Sequence, residues 1–301
     1  MAGVQARQIF DQLAVSGAAF AAPIDGPGVG MRADDAVTPA SVSKVQIALA
    51  VEDAIATGAL DGTRLRILPP GQRTAGPVGI SLLQDEVRMS ARDLVTMMLT
   101  ISDNVATDEL IAVAGVDRIN QLTAGLGLTA TRINAGGLRA MLDTMAEEAG
   151  FADYPALAAH DPARRPPSWA QIQSRLHHSA ALDPARGWRT TAAETVQLLQ
   201  AIWTDTAAAP TACATVRSGM TQQLTRHRIA SGFGPEVTVA AKSGGLMGLV
   251  RNEAGVVTFP DRRQYAVAVF TRSTPNTDTA PAEIDAGIGR IARALIDELH
   301  A

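Results

Sequence analysis

The stretch VTVAAKSGGLMGLVRNEAGVVTFPDRRQYAVAVFTR, Val237 to Arg272, constrains this chain most. Its β-branched, alternating runs and internal Pro-Asp turn predict three consecutive antiparallel strands. Near the other end, GAAFAAPI and GVGMRA flank Asp25-Gly26-Pro27-Gly28 and predict two short strands around a hairpin turn. Those glycines are not a phosphate loop, because neither a following Lys-Ser/Thr nor a complete G-x-G-x-x-G opening a helix is present. Helical patterns fill the space between the two strand regions. The expected fold is therefore α/β: one domain over 1–301, with an antiparallel sheet built from both termini (about 1–35 and 236–301), flanking helices and a central all-helical lobe over about 36–235.

The helical signals are uneven. MAGVQARQIFDQLAVSGAAF predicts an amphipathic helix, and its Gln5, Arg7, Gln8, Asp11 and Gln12 interrupt what a secretory h-region would require. If Met1 is the native start the protein is expected in the cytoplasm; if a leader has been removed, it is exported. From Ser41 to about Gly58 the apolar residues Val45, Ile47, Ala48, Leu49, Val51, Ala54 and Ile55 cover most of a helix surface, which predicts burial nearly all round. ILPPGQRTAGPVG reads as loop. Ser90 is the expected N-cap of the next helix, which breaks around Ser102-Asp103-Asn104, residues that favour caps and turns. A helix follows over about Asp117 to Ala124. The segment 136–187 reads as an insert, with a helix near Leu138 to Ala149 and a Pro-rich break at HDPARRPPSW before a lid or helical pair. RTTAAETVQLLQAIW is a helix capped by Thr190 or Thr191 with Glu194 at the capping-box position, and APAEIDAGIGRIARALIDELH closes the chain as an amphipathic helix.

Charge excludes several classes of function. The 26 basic and 30 acidic residues leave a net charge of −4 without long single-sign runs, so neither nucleic acid nor an anionic membrane surface is an expected partner. No apolar stretch reaches the roughly 18 residues of a membrane span. Cys213 stands alone, which excludes an internal disulfide and cysteine-rich metal sites. With no H-E-x-x-H either, no metal or other cofactor is expected.

Three polar clusters fall at junctions of this layout: Ser41-x-x-Lys44 opening the buried helix, Ser102-Asp103-Asn104 between helices, and Lys242-Ser243-Gly244 on a strand. Each alone is weak, since Ser41 could be an N-cap before a surface lysine and the other two are common turn and strand-end tripeptides. Together they match what acyl transfer needs: an activated hydroxyl, a second proton relay, cationic anchoring and oxyanion donors. On a helix, positions i and i+3 share a face, which would put Lys44 beside Ser41 in apolar surroundings that favour the neutral amine. At the helix start, the Ser41 backbone N–H is free to donate.

In order, spacing and context these motifs resemble those of the class A serine β-lactamases and related penicillin-binding proteins. The two serines lie 61 residues apart, and 52 residues separate Thr190 from Lys242. ISDNVATDELI and the terminal strands are similar to theirs beyond the tripeptides. The resemblance implies that Ser41 is the nucleophile, Lys44 its general base or proton partner, and Ser102 the proton shuttle to the leaving group. It further implies that Asn104 orients substrate and Lys44, that Lys242 and Ser243, in the Lys242-Ser243-Gly244 triad, contact a substrate carboxylate, and that the backbone N–H groups of Ser41 and Gly245 form the oxyanion hole. The partner would be a small, carboxylate-bearing substrate.

The pattern breaks at one place. GLTATRINAGGLRAM aligns with the approach to the loop that carries the deacylating glutamate in class A enzymes, and the glutamate falls on Gly137. With no substitute, an acyl-enzyme should persist. Substitute bases within the insert would be Asp143, Glu147, Glu148, Asp183 or the pair His177-His178, whereas Arg164, Arg165 and Trp169 read as a solvated bend. The expected activity is serine acyl hydrolysis of an amide, lactam or ester, as a β-lactamase or a related esterase, amidase or acyltransferase. The alternatives are a D,D-peptidase and a slow-deacylating β-lactam-binding or sensing protein.

Overall fold

The computed structural model describes residues 3–300. The chain starts with helix α1 (Val4–Gln12), which buries Ala6 and Phe10, and runs into β1 (Val15–Pro23) and β2 (Val29–Met31), a hairpin around the expected Gly-Pro-Gly turn. The last third supplies β5 (Thr238–Leu246), β6 (Val250–Thr258) and β7 (Gln264–Ser273), then helix α11 (Pro281–His300). These strands form one antiparallel sheet in the order β2-β1-β7-β6-β5. β1 therefore joins the two chain ends, pairing with β7 from Val15↔Ser273 to Pro23↔Tyr265.

Strand periodicity sorts the sheet residues onto two faces. Val267 and Val269 pack with Phe10, Leu13, Ile288 and Leu295, so α1 and α11 cover one face. Ala266, Ala268 and Phe270 belong to the other core, which reaches into the helices of the middle of the chain. At the centre of that core lies α2 (Lys44–Ala56), with ten of its 13 residues buried, as a helix apolar on every side must be. Around it stand α3 (Ala91–Thr100), α4 (Asn104–Ala114), α5 (Val116–Gly125), α9 (Ala192–Trp203) and α10 (Pro210–Thr221). The insert carries α6 (Gly137–Ala149), α7 (Tyr154–Ala158) and α8 (Trp169–Leu176). Arg175 fastens α8 to the Ala149 carbonyl at the end of α6, and Arg272 of β7 reaches the carbonyls of His177 and Leu182, so the insert is tied within itself and, at its second end, to the sheet. Among the described residues no helix is long and apolar enough to cross a membrane.

Four details differ from the sequence reading. Ser41 lies in a 3-10 turn, Ala40–Ser43, and α2 begins only at Lys44. A two-stranded ribbon, β3 (Leu65–Leu68) with β4 (Val87–Ser90), occupies part of a region read as loop, because four-residue strands carry little periodicity. Helix α10 gave no signal, since PTACATVRSGMT is rich in small and β-branched residues and is held by packing more than by propensity. Thr191 caps α9 as expected, but the Glu194 carboxylate does not close a capping box. It takes the Ala130 N–H and the Thr131 hydroxyl instead, pinning the stretch before the insert.

One buried side chain fastens the sheet to the turn that carries Ser41. Asn252 of β6 donates through Nδ2 to the carbonyls of Thr38 (2.9 Å) and Pro39 (3.2 Å), and its Oδ1 accepts from the Thr271 N–H at 3.0 Å. It is fully buried, so each lost partner would leave an unpaired polar group. Asn252→Leu is accordingly expected to lower unfolding free energy by about 3 kcal/mol in urea titration; a loss under about 0.5 kcal/mol would show that the turn is held by other contacts.

Candidate active site

The turn that presents Ser41 is strained and closely seated. Ala40 has φ +50°, unusual for a residue with a side chain, and Ser43 Oγ closes the turn on the Ala40 carbonyl at 2.7 Å. Behind it runs Gly244 of β5. A Cβ there would lie 2.8 Å from the Pro39 oxygen and 3.0 Å from the Ser41 nitrogen, so only glycine lets the strand touch the turn. Ser41 itself is half-buried, and among the described residues its Oγ makes no hydrogen bond.

Lys44 is 1% exposed. Its Nζ donates to the Ser102 carbonyl (2.6 Å) and to Asn104 Oδ1 (3.0 Å), with Ser102 Oγ at 3.2 Å and the Asp103 carbonyl at 3.4 Å. The Ser102-Asp103-Asn104 turn is shaped for this: Ser102 has φ +64°, and Asp103 caps α4 by accepting the Ala106 N–H while its other oxygen holds the Ile80 N–H. Asn104 also donates to the Ala75 carbonyl at 2.9 Å. Burial pushes the Lys44 ammonium down from 10.5 to about 7, against the opposing charges of Asp103 and Asp108. The sequence reading put Ser41 and Lys44 on one α-helical face. The structure instead aims the lysine at the Ser-Asp-Asn turn from the first residue of α2, with no hydrogen bond to Ser41.

Lys242 is also fully buried, and its Nζ donates to the Ser243 carbonyl at 2.8 Å. Burial lowers its basicity well below the ordinary lysine value; Lys44 and Arg228 add to the effect and Glu253 opposes it. These are the only two lysines in the chain. In this structure the Lys242 amine is covered, and half-buried Ser243 is the member of the triad nearer solvent.

Residues that no motif announced complete this wall. Arg228 is buried and donates through Nη1 to the carbonyls of Gly244 (2.8 Å) and Asn252 (2.7 Å), and through Nε to Asp285 at 2.7 Å. Burial works against the Asp285 carboxylate, yet hydrogen bonds and charge from Arg251 and Arg228 hold its pKa below the usual value. Gln223 accepts the Ser243 N–H at 2.5 Å and donates to Glu253 at 3.1 Å; burial raises the pKa of Glu253. The Gln223 contact fixes which way the strand faces. The Ser243 N–H points off the free edge of the sheet, and by antiparallel alternation the Gly245 N–H points off the same edge. Lone arginines, glutamines and aspartates in irregular stretches carry no periodic signal, which is why these were missed.

Gly137 is the first residue of α6, buried, with φ +68°. A Cβ there would lie 2.5 Å from Asp108 Oδ1. That carboxylate accepts the N–H groups of Leu138 (2.6 Å) and Arg139 (3.0 Å) and the Thr74 hydroxyl (2.5 Å). The position aligned with a glutamate is thus a helix start clamped onto α4. The substitute bases serve the insert instead: Asp143 accepts the Tyr154 N–H, Glu148 that of Ala180 and Asp183 that of Ala185, while Glu147 and His178 are exposed. His177 gives its carbonyl to Arg272, and burial, Arg272 and His178 lower its pKa. Among the described residues none of these side chains hydrogen-bonds Ser41, Lys44 or Ser102. No group of three His, Cys, Asp or Glu side chains among those residues could hold a metal ion.

Known proteins match this arrangement. A protein from Streptomyces cacaoi described as β-lactamase regulatory protein BlaB is 32% identical over 288 residues, which cover 91% of this chain and 89% of that protein. A mutant of a class A β-lactamase reconstructed as the last common ancestor of Gram-negative bacteria superposes with a TM-score of 0.77 at 18% identity, covering 99% of this chain and 98% of the other. PBP-A gives a TM-score of 0.72 at 18% identity, over 98% and 96% of the two chains. The sheet from both termini and the central helices are thus the class A fold. The model of the β-lactamase enzyme family matches residues 9–299, and the chain belongs to that family.

Proposed function

We propose that this protein, a member of a serine hydrolase family, is acylated on Ser41 by β-lactams and releases the acyl group slowly, as a β-lactam-binding or sensing protein would. One observation carries the reading: a buried lysine with a pKa near 7 stands one turn from an unbonded serine, while a clamped helix start fills the place of the deacylating carboxylate. The BlaB relative, regulatory by its name, agrees with it.

In this reading the neutral Lys44 amine takes the Ser41 proton and Oγ attacks the lactam carbonyl. The N–H groups of Ser41 and Gly245 receive the oxyanion. As the C–N bond breaks, Ser102 Oγ gives its proton to the nitrogen and regains one from the Lys44 ammonium, with which it is already in contact at 3.2 Å. The substrate carboxylate faces Ser243, with the Arg228 guanidinium behind the strand. Hydrolysis of the resulting ester needs a water and a base on the α6 side, and there Asp108 has both oxygens engaged.

Intact mass spectrometry after incubation with benzylpenicillin should show one stoichiometric adduct in the wild type and none in Ser41→Ala. Rapid turnover without adduct, or an adduct surviving Ser41→Ala, would refute the reading. The acylation rate should rise with pH through about 7, because attack requires Lys44 without its proton, and level off above; stopped-flow traces with a chromogenic cephalosporin measure it. Gly137→Glu should not speed release. With a left-handed backbone and Asp108 in the way, it should cost about 2 kcal/mol of stability in thermal or urea melts.

A further inference from the structure

We propose that Asp108 is a positioning residue of the Ser41 site, whose one carboxylate ties the loop 74–76, α4 and α6 together beside Lys44 and supplies the negative charge against which that lysine works. The inference rests on the acylation reading for its consequence, but its geometry stands independently. Asn104 and Asp108 are four residues apart on α4 and share a face. Asn104 accepts from Lys44 and donates to Ala75, and Asp108 accepts from the adjacent Thr74. Two successive turns of α4 thus hold two successive loop residues, the first through the residue that also binds the lysine.

The same carboxylate caps α6 from outside. This 13-residue helix begins after Gly136, which has no side chain to cap it, and the free N–H groups of Leu138 and Arg139 turn to Asp108 instead. Three donors on two oxygens require a carboxylate; an asparagine would set its NH2 against one of them. The cap also explains Gly137, because a side chain there would enter the space Asp108 occupies.

Asp108 also acts across space. The charged groups facing Lys44 are Asp103, the cap of α4, Asp108 within α4 and Lys242 of β5, while the Arg139 guanidinium is turned away to the Gln72 carbonyl. Burial lowers the lysine, and the two carboxylates keep it as high as about 7. Removing the Asp108 charge must therefore lower the pH at which Lys44 gives up its proton, and move the rise of acylation with it.

The chain's two lysines make the test direct, since Nζ-15N-lysine labelling gives two titration curves, assigned with Lys242→Arg. In Asp108→Asn the Lys44 midpoint should fall by roughly half a unit to one unit, with a lower Tm. Thr74→Val removes a hydrogen bond but leaves the charge, so it should lower Tm and leave the midpoint in place. Asp108→Ser is a second neutral variant with the same expectation, should the asparagine variant not fold. An unmoved midpoint in a folded neutral variant, or an equal shift in Thr74→Val, would overturn the proposal. This readout uses unacylated protein, so it separates from a failure of Ser41 to react; where Ser41 does react, the acylation pH profile must shift with the midpoint.

Discussion

The site depends on one buried contact, that of the Lys44 Nζ with the Ser102 carbonyl at 2.6 Å. A lysine at the start of a helix that is apolar on every side must either lose its charge or find acceptors. The Ser102-Asp103-Asn104 turn supplies the acceptors, and it does so by holding Ser102 in a left-handed conformation and turning two backbone carbonyls inward. Desolvation outweighs the charges of Asp103 and Asp108, which puts the amine near pH 7. The same contact brings the Ser102 hydroxyl within 3.2 Å of the lysine. The Ser41 turn, α2 and α4 thus become one unit, and β5 closes on it through Gly244.

The β5 and α6 sides of the site are built to opposite ends. On the β5 side, Asn252, Arg228, Gln223 and Asp285 are buried or bonded so that strand edge and Ser41 turn keep their relative position. In the proposed acylation these interactions pre-organise the oxyanion donors. On the α6 side, Asp108 uses a carboxylate to hold a helix start, and the backbone at Gly137 leaves no room for another acid. On the reading proposed here, this equips the site for the first half-reaction and closes the usual route for the second.

Much of this was legible in the chain, and the reasons are physical. Alternating runs near both ends dictate strands, and the all-round apolar pattern after Ser41 dictates a central helix. Ser41, Lys44, Ser102, Asn104 and Lys242 stand out because chemistry demands those residue types at those intervals, and the glycine at 137 stands out as a departure from the same pattern. What the sequence left hidden was decided by partners distant along the chain. Ribbon β3–β4 and helix α10 have weak local preference and exist through packing. Arg228 meets Asp285 57 residues away, and Asp108 meets Thr74 and α6, 34 and 30 residues away, with nothing local to mark either. The covering of Lys242 and the 3-10 geometry at Ser41 likewise follow from how β5 seats on the turn.

The central claim, that the molecule acylates readily but has lost the usual means of release, is tested most directly by a chase. Protein loaded with benzylpenicillin is freed of excess drug, and the acyl-Ser41 mass is followed with time at neutral pH. The account predicts that the adduct persists for hours, with free penicilloate appearing only as slowly as the adduct decays. Loss of the adduct within seconds, with penicilloate released and Ser41 ready to react again, would contradict it and require a deacylating base that the α6 wall does not provide.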